Sequence, residues 1–247
     1  MARVMIVTGG SRGIGAAVAR LAGRLGYAVC VNYRERADRA RDVVSSIVAG
    51  GGSAVAVQAD VSIETDVGRL FAACDAALGP VTVLVNNAGV AGDSSPIADI
   101  TSDNLRRILG VNIWSTILCA REAIRRMSPR NGGQGGAIVN ISSIGARVGY
   151  LPGLVAYAAS KGAIDTLTIG LAKEVGCLGI RVNAVRPGLI DTEMHEGRRE
   201  SFQAIARTVP LLARAASADE VASAVLWLAS DEASYVSGAL VDVTGGR

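Results

Sequence analysis

Val4-Met5-Ile6-Val7-Thr8-Gly9-Gly10-Ser11-Arg12-Gly13-Ile14-Gly15 is the stretch on which the reading of the whole chain turns. Four large apolar residues in a row suit a strand covered on both faces, where alternation with polar residues is not needed. The spaced glycines that follow run straight into a segment with helical periodicity. Gly9 allows a tight turn, Gly13 lets backbone come close to a bound anion, and Gly15 permits close packing of helix against sheet. Ser11, Arg12 and Ile14 fill the turn, whose free helix N–H groups face the anion. Glycine makes up 30 of 247 residues, so spaced glycines arise by chance more easily here than usual. Their position after a first strand and before a helix points to a dinucleotide pyrophosphate.

The same alternation continues outward. Short β-branched runs at Val4–Val7, Val29–Asn32, Ala54–Gln58, Val81–Val85, Ala137–Ile141, Arg181–Val185 and Ala239–Val243 read as strands. Between them Ile14–Leu25, Ala37–Val48, Glu64–Ala77, Asp103–Met127, Val155–Val175 and Asp219–Ala229 carry helical spacing, with Asp103 and Asp219 near the N-termini. The expected fold is α/β: a single-domain Rossmann fold over residues 1–247, with a doubly wound parallel sheet of about seven strands. Asn131–Gly136 reads as a surface loop before the fifth strand.

Composition narrows the chemistry. The chain is 50% hydrophobic and 19% charged, enough for an extensive core. Its 25 cations include only two lysines, Lys161 and Lys173, leaving 23 arginines, and His195 is the single histidine. A histidine-rich zinc site is excluded, and no metal is expected. The arginines are scattered rather than clustered, which argues against nucleic acid as partner. Cys30, Cys74, Cys119 and Cys177 form no Cys-x-x-Cys pair and read as core thiols in a reducing compartment. No apolar run is long enough to cross a membrane, so a cytoplasmic location is expected.

The second strand ends in Asn32-Tyr33-Arg34-Glu35-Arg36, with no acidic residue at its tip to accept from ribose hydroxyls. Arg34, with Arg12 in the turn, can instead make forked hydrogen bonds to a 2′-phosphate. NADP(H) is the expected cofactor. Glu35, if turned inward, would restore NAD(H) binding, which therefore stays open.

Tyr157-Ala-Ala-Ser-Lys161 opens the sixth helix, and its four-residue spacing sets Tyr157 and Lys161 one turn apart on one face. A phenol with pKa about 10 is a poor base near neutrality unless a cation favours its phenolate. Asn140-Ile141-Ser142-Ser143 ends the fifth strand at the sheet's carboxyl edge, and Asn112 lies in the long helix before it. Taken with Asp60-Val61, Asn86-Asn87-Ala88-Gly89, Arg186-Pro187-Gly188 with Ile190 and Thr192, and Ser237-Gly238, the chain resembles the classical short-chain dehydrogenase/reductase family from Val4 to Gly246. Within it the sequence is most similar to members called 3-oxoacyl-carrier-protein reductases and glucose 1-dehydrogenases.

The resemblance implies an enzyme that transfers hydride reversibly between NADP(H) and a ketone or secondary alcohol. It implies that Ser143 orients the carbonyl oxygen, that Tyr157 exchanges its proton, and that Lys161 holds ribose hydroxyls while lowering the tyrosine pKa. Asn112 would position a water for proton relay. Asp60 and Val61 would flank adenine, and Asn87, Ala88 and Gly89 would line the cofactor near its riboses. Pro187, Gly188, Ile190 and Thr192 would support the nicotinamide end, while Asn86 braces the sheet. Ser143 stands fourteen positions before Tyr157, one more than the family's commonest spacing, and Ile144 occupies the usual offset. The loop Gly145–Leu154 can absorb the extra residue, with Ser142 as second candidate.

Glu193–Arg199 falls where relatives carry a mobile lid, with His195 either touching substrate or solvated. Tyr150, Leu151 and Leu154 are candidate walls of an apolar pocket, with Gly145 and Arg147 nearby. The resemblance also implies a homotetramer pairing the helices at Asp103–Met127 and Val155–Val175. Two other classes compete: a dinucleotide-binding regulator without turnover, and a nucleic-acid binder using its arginines.

Overall fold

The structure, a computed structural model, describes residues 3–149, 152–193, 199–211 and 213–247. Seven strands form one parallel sheet: β1 (Val4–Val7), β2 (Ala28–Tyr33), β3 (Ala54–Gln58), β4 (Val83–Asn86), β5 (Gly136–Ile141), β6 (Ile180–Pro187) and β7 (Leu240–Val243). Their order is β3-β2-β1-β4-β5-β6-β7. Parallel neighbours need crossovers, and helices supply them: α1 (Gly13–Arg24), α2 (Ala37–Ala49) and α3 (Glu64–Leu78) in the first half. The second half uses α4 (Ser102–Leu109), α5 (Ser115–Met127), the short α6 (Gly145–Val148), α7 (Val155–Val175), α8 (Arg199–Ala206) and α9 (Ala218–Ala229). After β3 the chain returns to the far side of β1, so the winding reverses between β1 and β4. A crevice opens there at the strands' carboxyl ends.

Alternate residues of each strand feed opposite layers. Met5, Val7, Val29, Val31, Val83 and Val85 pack with α1, α2 and α9, while Val4, Ile6, Cys30, Leu84 and Ile138 pack with Phe71 of α3 and Leu118 of α5. The inner strands β1 and β4 are buried throughout, whereas the edge strands β3 and β7 are half-buried. A continuous apolar run thus marks an inner strand, as the quoted stretch suggests.

Helix starts lie slightly earlier than the acidic residues that signal them. The Thr101 hydroxyl accepts the Asn104 N–H at 3.2 Å, and Ser217 with Glu220 makes a reciprocal cap on α9. The helix expected over Asp103–Met127 is interrupted by a π turn at Gly110–Trp114. Ser115 and Thr116 return their hydroxyls to the carbonyls of Val111 and Asn112, at 2.5 and 2.9 Å. These bonds supply donors to carbonyls that the wider turn moves out of line. α8 was not expected; Phe202 and Ala206 on it pack with Leu189 and Val209. Three cysteines are buried, but Cys177, in the turn after α7, is exposed rather than a core thiol. Among the described residues, no helix is long and apolar enough to cross a membrane.

Candidate active site

A cleft of about 600 Å³ runs along the carboxyl edge of the sheet. At one end lies the glycine turn, where Gly9 and Gly13 adopt φ of +60° and +53°, a region other residues reach only with strain. A side chain at Gly15 would collide with Asn87 and the Gly9 carbonyl, so α1 sits as close to the sheet as backbone allows. Three polar side chains fix the turn. The Thr8 hydroxyl accepts the N–H groups of Asn87 and Ala88 at 3.0 Å each. Asn87 donates back to the carbonyls of Thr8 and Gly9 at 2.9 and 3.1 Å. Buried Asn32 accepts from Gly9 N–H at 3.1 Å and donates to the Ala59 carbonyl at 3.0 Å, tying the turn to the loop after β3. The sequence reading missed Thr8 and Asn32. Their signal was polarity at the carboxyl ends of otherwise apolar strands.

Arg12, Arg34 and Arg36 all line this end of the cleft. Arg34 Nε donates to Glu35 at 2.9 Å, and its guanidinium lies 3.8 Å from Asp60. Glu35 is turned toward Arg34 and is 68% exposed. Arg12 reaches Glu193 at 3.5 Å, and Arg36 pairs with Asp38 at 2.9 Å. Such exposed pairs are weak and screened by water, so an arriving phosphate can replace them at little cost. Asp60 Oδ1 accepts from the backbone N–H and hydroxyl of Ser62, which holds the carboxylate at the cleft wall beside Val61.

Ser143, just beyond β5, lines the same cleft as Tyr157 and Lys161 of α7. Lys161 is 4% exposed, donates to the Ile141 carbonyl at 2.7 Å, and stands with Nζ 5.8 Å from the centre of the Tyr157 ring. Burial of its ammonium pushes the pKa down to about 8, opposed by the negative charge of Asp165 one helical turn on. A Cβ at Gly89 would come to 3.4 Å from Lys161 Nζ and from Asn112 Oδ1. The Ser142 hydroxyl donates to the Lys161 carbonyl at 3.1 Å. Ser143 Oγ instead accepts the Gly145 N–H at 3.1 Å, which leaves its proton directed to no described partner. Ile144, at the family's usual serine offset, is buried.

Asn112 sits behind this group, within the π turn. Its side chain accepts the Val90 N–H at 2.8 Å and donates to the Val90 carbonyl at 3.0 Å and to Ser160 Oγ at 2.9 Å. Ser160 in turn donates to the Tyr157 carbonyl at 2.7 Å. Asn112 thus couples the loop after β4 to the helix carrying Tyr157, and Ser160 is a link the sequence reading missed. Asn86 donates to Asn140, and Asn140 to Thr168, both at 2.9 Å, so a buried polar chain braces β4, β5 and α7.

Past Tyr157 the wall is formed by Pro187, Gly188, Leu189, Ile190 and Thr192 after β6. Gly188 N–H donates to the Val243 carbonyl at 2.9 Å, and Ile190 bridges to Ala216. Apart from Gly15 and Asn112, which stand behind it, every residue singled out for cofactor or catalysis lines the cleft: Gly9, Ser11, Arg12, Gly13, Ile14, Arg34, Asp60, Val61, Asn87, Ala88, Gly89, Ser143, Tyr157, Lys161, Pro187, Gly188, Ile190 and Thr192. Leu154 also lines it. Tyr150, Leu151 and His195, with the rest of 194–198, lie outside the described residues. Arg147 is not a lining residue: it points to Asp242, at 2.6 Å. A further cation on the cleft lining is Arg107 of α4, four residues before Val111, which lines it too. Among the described residues no cluster of acidic, histidine or cysteine side chains could hold a metal ion.

Known proteins are similar to this chain in sequence and fold. A family model described as enoyl-(acyl carrier protein) reductase matches residues 9–247. An uncharacterized oxidoreductase of Escherichia coli is 47% identical, over 99% of both chains. A 3beta-hydroxysteroid dehydrogenase of Eggerthella lenta is 39% identical, over 99% of this chain and 93% of its own. A solved short-chain dehydrogenase of Burkholderia cenocepacia in complex with NADP superimposes with a TM-score of 0.90 at 35% identity, covering 99% of this chain and 97% of its own. The protein is an oxidoreductase of the kind that acts on alcohols and ketones. It belongs to the short-chain dehydrogenase/reductase family.

Proposed function

We propose that the whole chain works as one unit that interconverts a small-molecule ketone and its secondary alcohol with NADP(H) in preference to NAD(H). The observation that carries this reading is the meeting of Ser143, Tyr157 and Lys161 in the same cleft as the glycine turn. The turn's two left-handed glycines and the helix N-terminus beyond it fit a pyrophosphate, and the same cleft of about 600 Å³ takes in Tyr157 and Lys161. When bound, the nicotinamide supplies hydride to the carbonyl carbon, or takes it from the alcohol.

Ser143, whose proton has no partner among the described residues, donates to the carbonyl oxygen and fixes its direction. Tyr157 gives that oxygen a proton on reduction and removes it on oxidation. Lys161 stabilises the phenolate through its charge and offers N–H donors to ribose hydroxyls. Asn112 holds the loop after β4 and the Tyr157 helix in register, and in this role it would position a relay water. Asp60 and Val61 flank adenine, Asn87, Ala88 and Gly89 border the riboses, and Pro187, Gly188, Ile190 and Thr192 back the nicotinamide.

The NADP(H) preference is supported by Arg12 in the glycine turn, by Arg34 and Arg36 after β2, by the pairing of Glu35 with Arg34, and by the NADP bound to the Burkholderia relative. Oxidation of NADPH and NADH, followed against a panel of ketones, quinones, 3-oxoacyl thioesters and sugars, tests both parts. Turnover with NADPH several-fold above NADH is expected. NADH serving equally well or better would overturn the preference.

A homotetramer in the cytoplasm completes the proposal. Leu109, Trp114 and Ile117 along α4–α5 and Val155 and Ile169 on α7 are large apolar side chains open to solvent, a surface that paired helices would cover. A monomeric mass by light scattering at micromolar concentration would refute this assembly.

A further inference from the structure

We propose that Arg107 selects carbonyl substrates that carry an oxyanion, a carboxylate or a phosphate, at the far end of an apolar body. The inference rests on the reading of the cleft as a carbonyl-reducing site and names what that site prefers.

Five cations line the cleft: Arg12, Arg34, Arg36, Lys161 and Arg107. Four are engaged: Arg12 with Glu193, Arg34 with Glu35 and Asp60, Arg36 with Asp38, and Lys161 with the Ile141 carbonyl. Arg107 has no ion pair or hydrogen bond among the described residues, although its neighbour Arg106 binds Asp103 at 2.8 Å. The carboxylates lining the cleft, Glu35, Asp60 and Glu193, each stand beside one of the other arginines. No described carboxylate competes for Arg107.

Its position decides which ligand it meets. Arg107 and Val111 lie four residues apart, and both line the cleft, so this face of the helix overlooks the site. The loop after β4 packs on α4 there, through Asn104 on Asp93, and Val90, Ala91, Leu154, Phe202 and Ile205 give the same cleft apolar lining. An apolar wall with one cation rewards a ligand of matching pattern: an apolar body seated on the wall and an oxyanion on the guanidinium fork. Arg suits this better than Lys, because its planar fork engages both oxygens of a carboxylate or two of a phosphate. The oxyanion takes no part in the chemistry. Hydride adds to the carbonyl carbon, a proton adds to its oxygen, and the nicotinamide is oxidised.

The test compares charged and neutral members of matched pairs with NADPH. One arm uses oxo acids from 4-oxopentanoate to 7-oxooctanoate against their methyl esters; the other uses 6-phosphooxy-2-hexanone against 6-hydroxy-2-hexanone. At low salt the charged member of at least one arm should lead in kcat/KM by about tenfold or more, and the arm that leads identifies the oxyanion. Added salt should shrink the lead. Arg107→Gln should bring the ratio near one, and Arg107→Glu should carry it below one. Turnover without a charge preference, or a preference that survives in Arg107→Gln, overturns the proposal alone. No turnover with any compound by the folded protein overturns the carbonyl-reducing reading and this inference with it.

Discussion

Tyr157→Phe is expected to lower kcat for ketone reduction by roughly 10²–10⁴-fold, with a much smaller change in the Kd for NADPH. The variant keeps the ring and removes only the phenolic oxygen. Lys161, the bond from Ser160 to the Tyr157 carbonyl and the packing of α7 do not depend on that oxygen. Folding should therefore survive, and the loss should fall on the step that moves a proton to the substrate oxygen. Steady-state rates beside NADPH fluorescence titration separate the two effects. A phenylalanine variant with the full rate would remove Tyr157 from the acid–base role.

Lys161→Met should cost activity on the order of 10²–10³-fold, as expected when a preorganised charged donor is lost. It should also leave a signature in the absence of cofactor. The Lys161 ammonium ordinarily titrates at 10.5, and burial brings this to about 8 in the folded chain. Between those values the unfolded chain holds a proton that the folded chain has released. The unfolded state binds more protons there, so wild-type stability rises with pH through this window. Below pH about 8 the full penalty of burying the charged form is present. The methionine variant lacks this penalty, and its stability relative to wild type should decline by a few kcal/mol as pH goes from 8 toward 10.5. Urea midpoints at intervals of one pH unit measure it; parallel curves for the two proteins would sink the assignment.

Much of this site was legible because its chemistry depends on residue types at fixed spacing. The glycine turn, Tyr157 with Lys161, and Ser143 all lie at strand ends or on one helix turn, where neighbours in sequence are neighbours in space. Strand bounds followed from the same locality: β1 and β3 match the apolar runs residue for residue. What could not be read depends on long-range partners. Thr8 acts on residues 79 and 80 positions away, and Asn112 acts on Ser160, 48 positions on. The π turn at Gly110–Trp114 leaves the apolar spacing of a helix nearly intact, so periodicity passes over it. Arg147, expected near the pocket wall because it is close to Ser143 in sequence, is turned by α6 toward Asp242, while Arg107 lines the cleft. Proximity along the chain misled where a short helix redirected the side chain.

The glycine turn and the arginines of the β2 tip answer to different constraints when the sequence changes. The turn is shaped by Thr8, Asn32 and Asn87, which reach three strands and their loops, so substitutions there disturb the sheet as well as the ligand. Arg34, Glu35 and Arg36 are exposed and bound mainly to one another and to nearby carboxylates. On the proposed reading of this tip, selectivity between the two nicotinamide dinucleotides is a separable, surface-encoded trait. A lineage or a designer can rewrite it in two or three codons on a scaffold that does not register the change.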